Sequence, residues 1–252
     1  MTKLVAADSN RTYVTMDKIP QDLADAFVAI EDARFYEHNG IDIQGILRAF
    51  ALGIQEGEFS QGASTITQQL IKNNVFDDWM GESSFMESLR RKIQEQYLAL
   101  ELEKIMTKEE ILELYMNSIN LGQNTLGVQA ASLRYFNKPV YELNLSECAV
   151  IAGITQNPSY YNPITHPENN AEKREIVLQY MYEQGYITAE EHAEALADDV
   201  YARIQQTNTQ IANDSVYSYF VDEVIETAAE DLTEKLVSEG YTESQASTMA
   251  YN

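Results

Sequence analysis

Apolar residues recur at helical spacing through most of this chain. Leu23, Phe27 and Ile30 follow Pro20 and predict a helix that ends near Phe35, with Glu31 in its last turns. Ile43, Ile46, Leu47, Phe50 and Ile54 trace a second helix, stopped by Gly57. Gln61-Gly62 opens a loop into Ser64-Thr65-Ile66-Thr67-Gln68-Gln69, the expected start of a helix capped by Ser64. Met86 to Lys104 carries the strongest pattern, with Leu89, Ile93, Tyr97 and Leu100 in one stripe. Thr107 and Glu110 form a capping box for a helix that Ile111, Leu112, Tyr115 and Met116 carry to Asn117. Gly122 and Gly127 interrupt the chain before a helix containing Val128, Ala130 and Ala131. Leu145 to Ile154 is apolar and helical, and Pro158, Pro163 and Pro167 mark the loop after it. Helices are expected over Ala171 to Gly185 and from Thr188 onward.

Three stretches depart from the helical period. Leu4 to Met16 alternates weakly, as a short strand or extended segment does. Phe76 to Phe85 sets Trp79, Met80 and Phe85 among acids without a period and reads as a long mobile loop. Its apolar side chains would either dip into a bilayer interface or pack when a ligand closes the site. Asp198 to Asp214 is polar and irregular, the expected boundary, and Val216 to Glu239 resumes a helical pattern. The fold class expected is mostly α, with no internal repeat. The division expected is a catalytic unit over 1–197 and an acidic linker with a helical segment over 198–252.

Composition narrows the classes. With 252 residues, 44% hydrophobic and 10% aromatic, the chain can bury a sizeable core. A net charge of −23 excludes nucleic acid as a partner gripped by the whole protein. Much of the excess lies in the tail, where only Arg203 and Lys235 are basic after Tyr182, so the centre is closer to balanced. Cys148, alone among Ala149, Val150, Ile151 and Ala152, reads as a small buried hydrophobe. There is no run of 18 apolar residues and no basic-then-apolar leader; an anchor could lie outside these residues. His38, His166 and His192 are not spaced for zinc. No Ser-x-x-Lys acyl-enzyme signature and no glycine-rich nucleotide loop occurs.

The chemistry that remains centres on two acids. Glu31 opens Glu31-Asp32-Ala33-Arg34-Phe35-Tyr36-Glu37-His38-Asn39-Gly40. Phe35 and Tyr36 would strip water from its carboxylate, while Arg34 and His38 would favour its charged form if they approach. Glu95 shares a helix face with Arg91 and Lys92, at i,i+4 and i,i+3. That group reads either as an ordinary surface ion pair or as a face that binds a diphosphate. Gly62 to Gln69 is dense in hydroxyls and amides at a helix start, where anions or sugar hydroxyls bind, and Lys72 adds charge on the same side. Two acids with cations between them point to chemistry on a phosphate-bearing sugar.

Taken in order, these segments resemble the peptidoglycan glycosyltransferases, glycosyltransferase family 51. That family includes the N-terminal catalytic domain of class A penicillin-binding proteins and the monofunctional transglycosylases. Its first motif is met at Glu31, Asp32, Phe35, His38 and Gly40, its second from Gly62 to Gln69, and its third at Arg91, Lys92 and Glu95. The fourth resembles Ile111 to Asn117, with Met116 where Leu is usual, and the fifth Lys173 to Leu178, with Lys173 replacing an Arg. The resemblance covers about Val5 to Thr188.

It implies a lysozyme-like fold with a larger head lobe and a smaller, membrane-proximal jaw lobe. It also implies polymerisation of lipid II into β-1,4 glycan strands, with inversion and release of undecaprenyl diphosphate. Glu31 would be the general base that deprotonates the acceptor 4-hydroxyl. Lys72, Arg48, Arg91 and Lys92 would neutralise the leaving diphosphate. Glu95 would sit beside the diphosphate, where a divalent cation, magnesium or manganese, is a candidate cofactor. Asp32, His38, Ser64, Thr65, Gln68, Gln69 and Asn117 would hold substrate or the cleft wall.

The implied partners are lipid II as donor and acceptor, the growing glycan strand, the membrane surface and moenomycin-type phosphoglycolipid inhibitors. The implied location is the outer face of the bacterial cytoplasmic membrane, through an anchor outside these residues. Tyr217 to Asp222 resembles the linker toward a transpeptidase domain, so a piece of a bifunctional protein is expected. Two rivals stand beside this reading: a peptidoglycan-cleaving lysozyme or lytic transglycosylase, and a non-catalytic lipid II-binding scaffold. A cleaving enzyme needs no diphosphate clamp, so Lys72 and the Arg91-Lys92 pair argue against the first. Loss of polymer on Glu31→Gln would dismiss the second.

Overall fold

The computed structural model describes residues 12–48, 64–76 and 85–214, with 228, 231–232 and 235–238. Nine helices are delimited in that part: α1 Gln21–Glu31, α2 Ile66–Val75, α3 Phe85–Leu102, α4 Lys108–Ser118, α5 Val128–Phe136, α6 Leu145–Gly153, α7 Pro167–Glu183, α8 Ala189–Ala197 and α9 Val200–Asp214. A helical stretch over 43–48 lies between α1 and α2. Among the described residues there is no sheet, only an antiparallel bridge between Asn120 and Leu126. The fold is mostly α, as the periodicity predicts.

The centre is α6, buried from Ser146 to Gly153. A helix apolar nearly all round has to be surrounded, and α1 and α7 pack on it. On α1 the buried residues are Leu23, Ala24, Ala26, Phe27, Val28 and Ala29. Phe27 meets Tyr115 of α4 edge-to-face at 5.8 Å between ring centroids, a contact worth about 0.5–1.5 kcal/mol beyond burial. Cys148 is buried in this centre, and desolvation pushes its thiol well above its ordinary pKa.

A second layer packs α2 on both α4 and α3. Gly40 sets the closeness of α3 to the end of α1. Its φ is +87°, and a side chain there would put Cβ 2.6 Å from the Ala99 carbonyl oxygen. Only glycine tolerates both the left-handed backbone and that approach.

Several expectations shift. Helix α1 ends at Glu31 rather than near Phe35, so Glu31 is its last residue. Thr65, not Ser64, caps α2, accepting from Gln68 N while the Gln68 side chain answers Thr65 N. The Leu89–Ile93–Tyr97–Leu100 stripe faces solvent, 41%, 59%, 62% and 40% exposed, while the opposite face of α3 buries Glu95 and Ala99. Residues 200–214 are not irregular: they form α9, whose Val200 and Ile204 join the core and which packs on α5. The Leu4–Met16 strand falls partly outside the described residues; what is described runs extended into a single 3-10 turn at Met16–Lys18. Residues 77–84, with Trp79 and Met80, and most of 216–239 lie outside the described residues.

Candidate active site

Three chain segments meet at Glu31. As the last residue of α1 it lies at the helix end beside α2, and both of its oxygens are held. Oε2 accepts from Gln69 Nε2 at 2.8 Å. Oε1 accepts from the hydroxyl of Thr155, two residues beyond α6. The Tyr115 hydroxyl of α4 donates to Gln69 Oε1 at 3.3 Å, which orients the amide so that its NH2 faces the carboxylate. Burial, with the nearby Glu31 and Asp32 carboxylates, pushes Tyr115 well above its ordinary pKa, so it stays a donor. Phe35 is buried beside the site, whereas Tyr36 is exposed.

The charged neighbours expected to act on Glu31 go elsewhere. Arg34 pairs with Asp42 and Gln44. His38 Nε2 lies 2.9 Å and 3.0 Å from the two oxygens of Asp32. Asp32 is buried and also accepts from Ile66 N at 3.0 Å. It therefore ties the end of α1 to the first turn of α2, where a carboxylate also meets the positive helix end. Thr65 Oγ1 donates to Gly40 O at 2.7 Å, fastening the same two segments.

The second acid is fully buried. Glu95 Oε1 accepts from Arg91 and Oε2 from Lys92 Nζ at 3.0 Å; Lys92 Nζ also reaches Ser64 Oγ at 2.6 Å. The surface ion pair that spacing allowed is thus a buried triad, in which each charge depends on the others for solvation. Lys72 of α2 lies within electrostatic reach of both acids. Burial pushes its pKa down, Glu95 pulls it up, Lys92 and Arg91 push it down, and Glu31 pulls it up. The pKa of Lys173 of α7 is lowered by burial and raised by Glu31, and its Nζ donates to Gln156 Oε1 at 2.9 Å.

The donor set at Glu95 does not fit a divalent cation. Both of its oxygens are committed to cationic side chains, and among the described residues no group of three His, Cys, Asp or Glu converges.

The remaining candidates divide. Gln68 Oε1 is used in the α2 capping box. Arg48 is exposed and lines a cleft of about 270 Å³ with Arg34 and Gln44. Asn117 is turned to the N-terminal segment: its Oδ1 accepts from Val14 N at 2.8 Å and its Nδ2 donates to Val14 O at 2.8 Å. Sequence spacing missed Thr155, 124 residues from Glu31; no local pattern marks it. Lys173 was legible only as part of a motif.

A sequence model of one family, Transglycosylase, matches residues 1–182. The chain belongs to the transglycosylase family. Within it, the chain is 41% identical over 238 residues to penicillin-binding protein 1A of Clostridium botulinum (strain Hall), a match covering 90% of this chain and 28% of that protein. Its identity to penicillin-binding protein 1A of Escherichia coli K12 is 46% over 184 residues, covering 73% of this chain and 21% of the other. The crystal structure of penicillin-binding protein 1A from Haemophilus influenzae matches 74% of this chain and 17% of its own, at 28% identity and a TM-score of 0.44. The chain therefore spans about a quarter of the length of these transglycosylase relatives. Among the described residues no helix is long and apolar enough to cross a membrane.

Proposed function

We propose that this chain polymerises lipid II, joining the acceptor sugar's 4-hydroxyl to the anomeric carbon of the growing strand and releasing undecaprenyl diphosphate. The observation that carries the reading is the contrast between two acids, both of which act on the charge of Lys72. One, Glu31, is held by two neutral donors; the other, Glu95, is locked into a cationic triad. The first environment suits a base and the second a charge clamp.

Glu31 takes the proton of the acceptor hydroxyl, whose oxygen forms the new bond from the face opposite the leaving group. Lys72, Arg91 and Lys92 stabilise the charge that gathers on the departing diphosphate, with Glu95 holding the last two in place. Gln69 and Thr155 keep the base in a fixed orientation, the source of the near-attack geometry such reactions need. The growing glycan, the membrane surface, inhibition by moenomycin-type phosphoglycolipids and a place outside the cytoplasmic membrane belong to the same proposal. So does the separation of a catalytic unit from a segment leading to a further domain.

The test is polymerisation of lipid II by this chain, with Glu31→Gln and moenomycin as controls. Polymer from the wild type, lost in Glu31→Gln and blocked by moenomycin, is expected. Shortening of finished glycan without consumption of lipid II, or an undiminished Glu31→Gln, would overturn the reading.

A further inference from the structure

We propose that Thr155 is a positioning residue that serves both protonation states of the base, an inference that rests on reading Glu31 as the proton acceptor. The two carboxylate oxygens have chemically different partners. At Oε2, Gln69 Nε2 can only donate, because Tyr115 fixes the amide through Gln69 Oε1. At Oε1 the partner is a hydroxyl, which can donate or accept. Thr155 Oγ1 also lies 3.1 Å from Ala152 O, one turn back at the end of α6, so its single hydrogen has two acceptors within reach.

With Glu31 ionised, the hydroxyl hydrogen points to the carboxylate, since the charge-assisted bond is the stronger. Once Glu31 has captured a proton, the new O–H requires an acceptor. Thr155 Oγ1 becomes that acceptor when its hydrogen turns to Ala152 O. Gln69 cannot do this, so of the two carboxylate oxygens only Oε1 has a partner able to accept a hydrogen bond from the protonated acid. The acceptor hydroxyl yields its proton to Glu31, and its oxygen pair forms the bond to the anomeric carbon. The bond from that carbon to the diphosphate oxygen breaks, its electrons leave on the diphosphate, and Glu31 returns the proton to water.

The experiment uses Thr155→Val, which keeps the shape and removes the hydroxyl, and Thr155→Ser, which keeps the hydroxyl. Both are assayed for kcat and KM in lipid II polymerisation and for thermal unfolding, beside Glu31→Gln. Freeing the base from its fixed orientation predicts a fall in kcat of about ten- to a hundredfold for Thr155→Val, with KM within about twofold. Thr155→Ser should restore most of the rate. Should Thr155→Val unfold early, Thr155→Ala carries the same expectation. A wild-type kcat without the hydroxyl, or a serine variant as slow as the valine one, overturns the inference. If Glu31→Gln is inactive in that case, the base reading survives; if Glu31→Gln polymerises normally, the base reading itself falls.

Discussion

Replacing Glu95 by glutamine removes one negative charge from a place where water cannot replace it. The Glu95 side chain is 1% exposed, against 17% for Arg91 and 37% for Lys92. Truncating one member of a buried ion pair costs about 3–5 kcal/mol, because the partners left behind stay desolvated. Lys92 is more than a third exposed, so water recovers part of the loss and about 2 kcal/mol remains. For a chain of this size that lowers the melting temperature by about 4–8 °C. The same change leaves Arg91, Lys92 and Lys72 facing one another without their shared anion. An added diphosphate then supplies the missing charge, so inorganic diphosphate should stabilise Glu95→Gln more than it stabilises the wild type. Thermal unfolding of both proteins, with and without inorganic diphosphate at fixed ionic strength, measures the two effects together. An unchanged melting temperature, or equal stabilisation by diphosphate in both proteins, would refute the account of Glu95 as the anion that holds an anion clamp together.

Two further substitutions probe the neighbouring elements. Burial lowers the Lys72 pKa, so this ammonium is lost at a lower pH than an ordinary lysine's, and the clamp weakens as pH rises. Arginine stays charged throughout, so Lys72→Arg should flatten the alkaline fall in polymerisation rate, and superimposable alkaline limbs would contradict this. Asp32→Asn removes the charge that joins His38 to the Ile66 amide. It should cost about 1–3 kcal/mol in unfolding experiments and lower kcat in parallel, because α2 carries Gln69; full retention of both would exclude the proposed tie.

The sequence marked Glu31, Lys72 and the Arg91-Lys92-Glu95 group because each lies in a local motif with a recognisable spacing. The structure gave them different surroundings. Arg34 and His38, three and seven residues after Glu31, serve Asp42 and Asp32 instead. Asn117, at the end of a motif, holds the main chain of Val14. Thr155 carries no motif of its own and reaches Glu31 only because α6 packs on α1.

Most helix positions were legible in the sequence alone, residues 200–214 excepted, since backbone hydrogen bonding and capping boxes act within a few residues. Thr107 with Glu110 caps as read, and a helix starts after Thr188 as expected, with Glu191 completing a capping box there. The shift from Ser64 to Thr65 shows the limit, because adjacent hydroxyls compete for one cap and the backbone angles choose. The family, too, was legible from ordered motifs. Which face of each helix is buried was not. Periodicity on α3 showed an apolar stripe, yet the tertiary structure turned that stripe outward and enclosed Glu95, because Gly40 admits the Ala99 backbone and the carboxylate needs its cations. A residue's spacing fixes its neighbours along a helix, but only packing between helices decides which of them lose water.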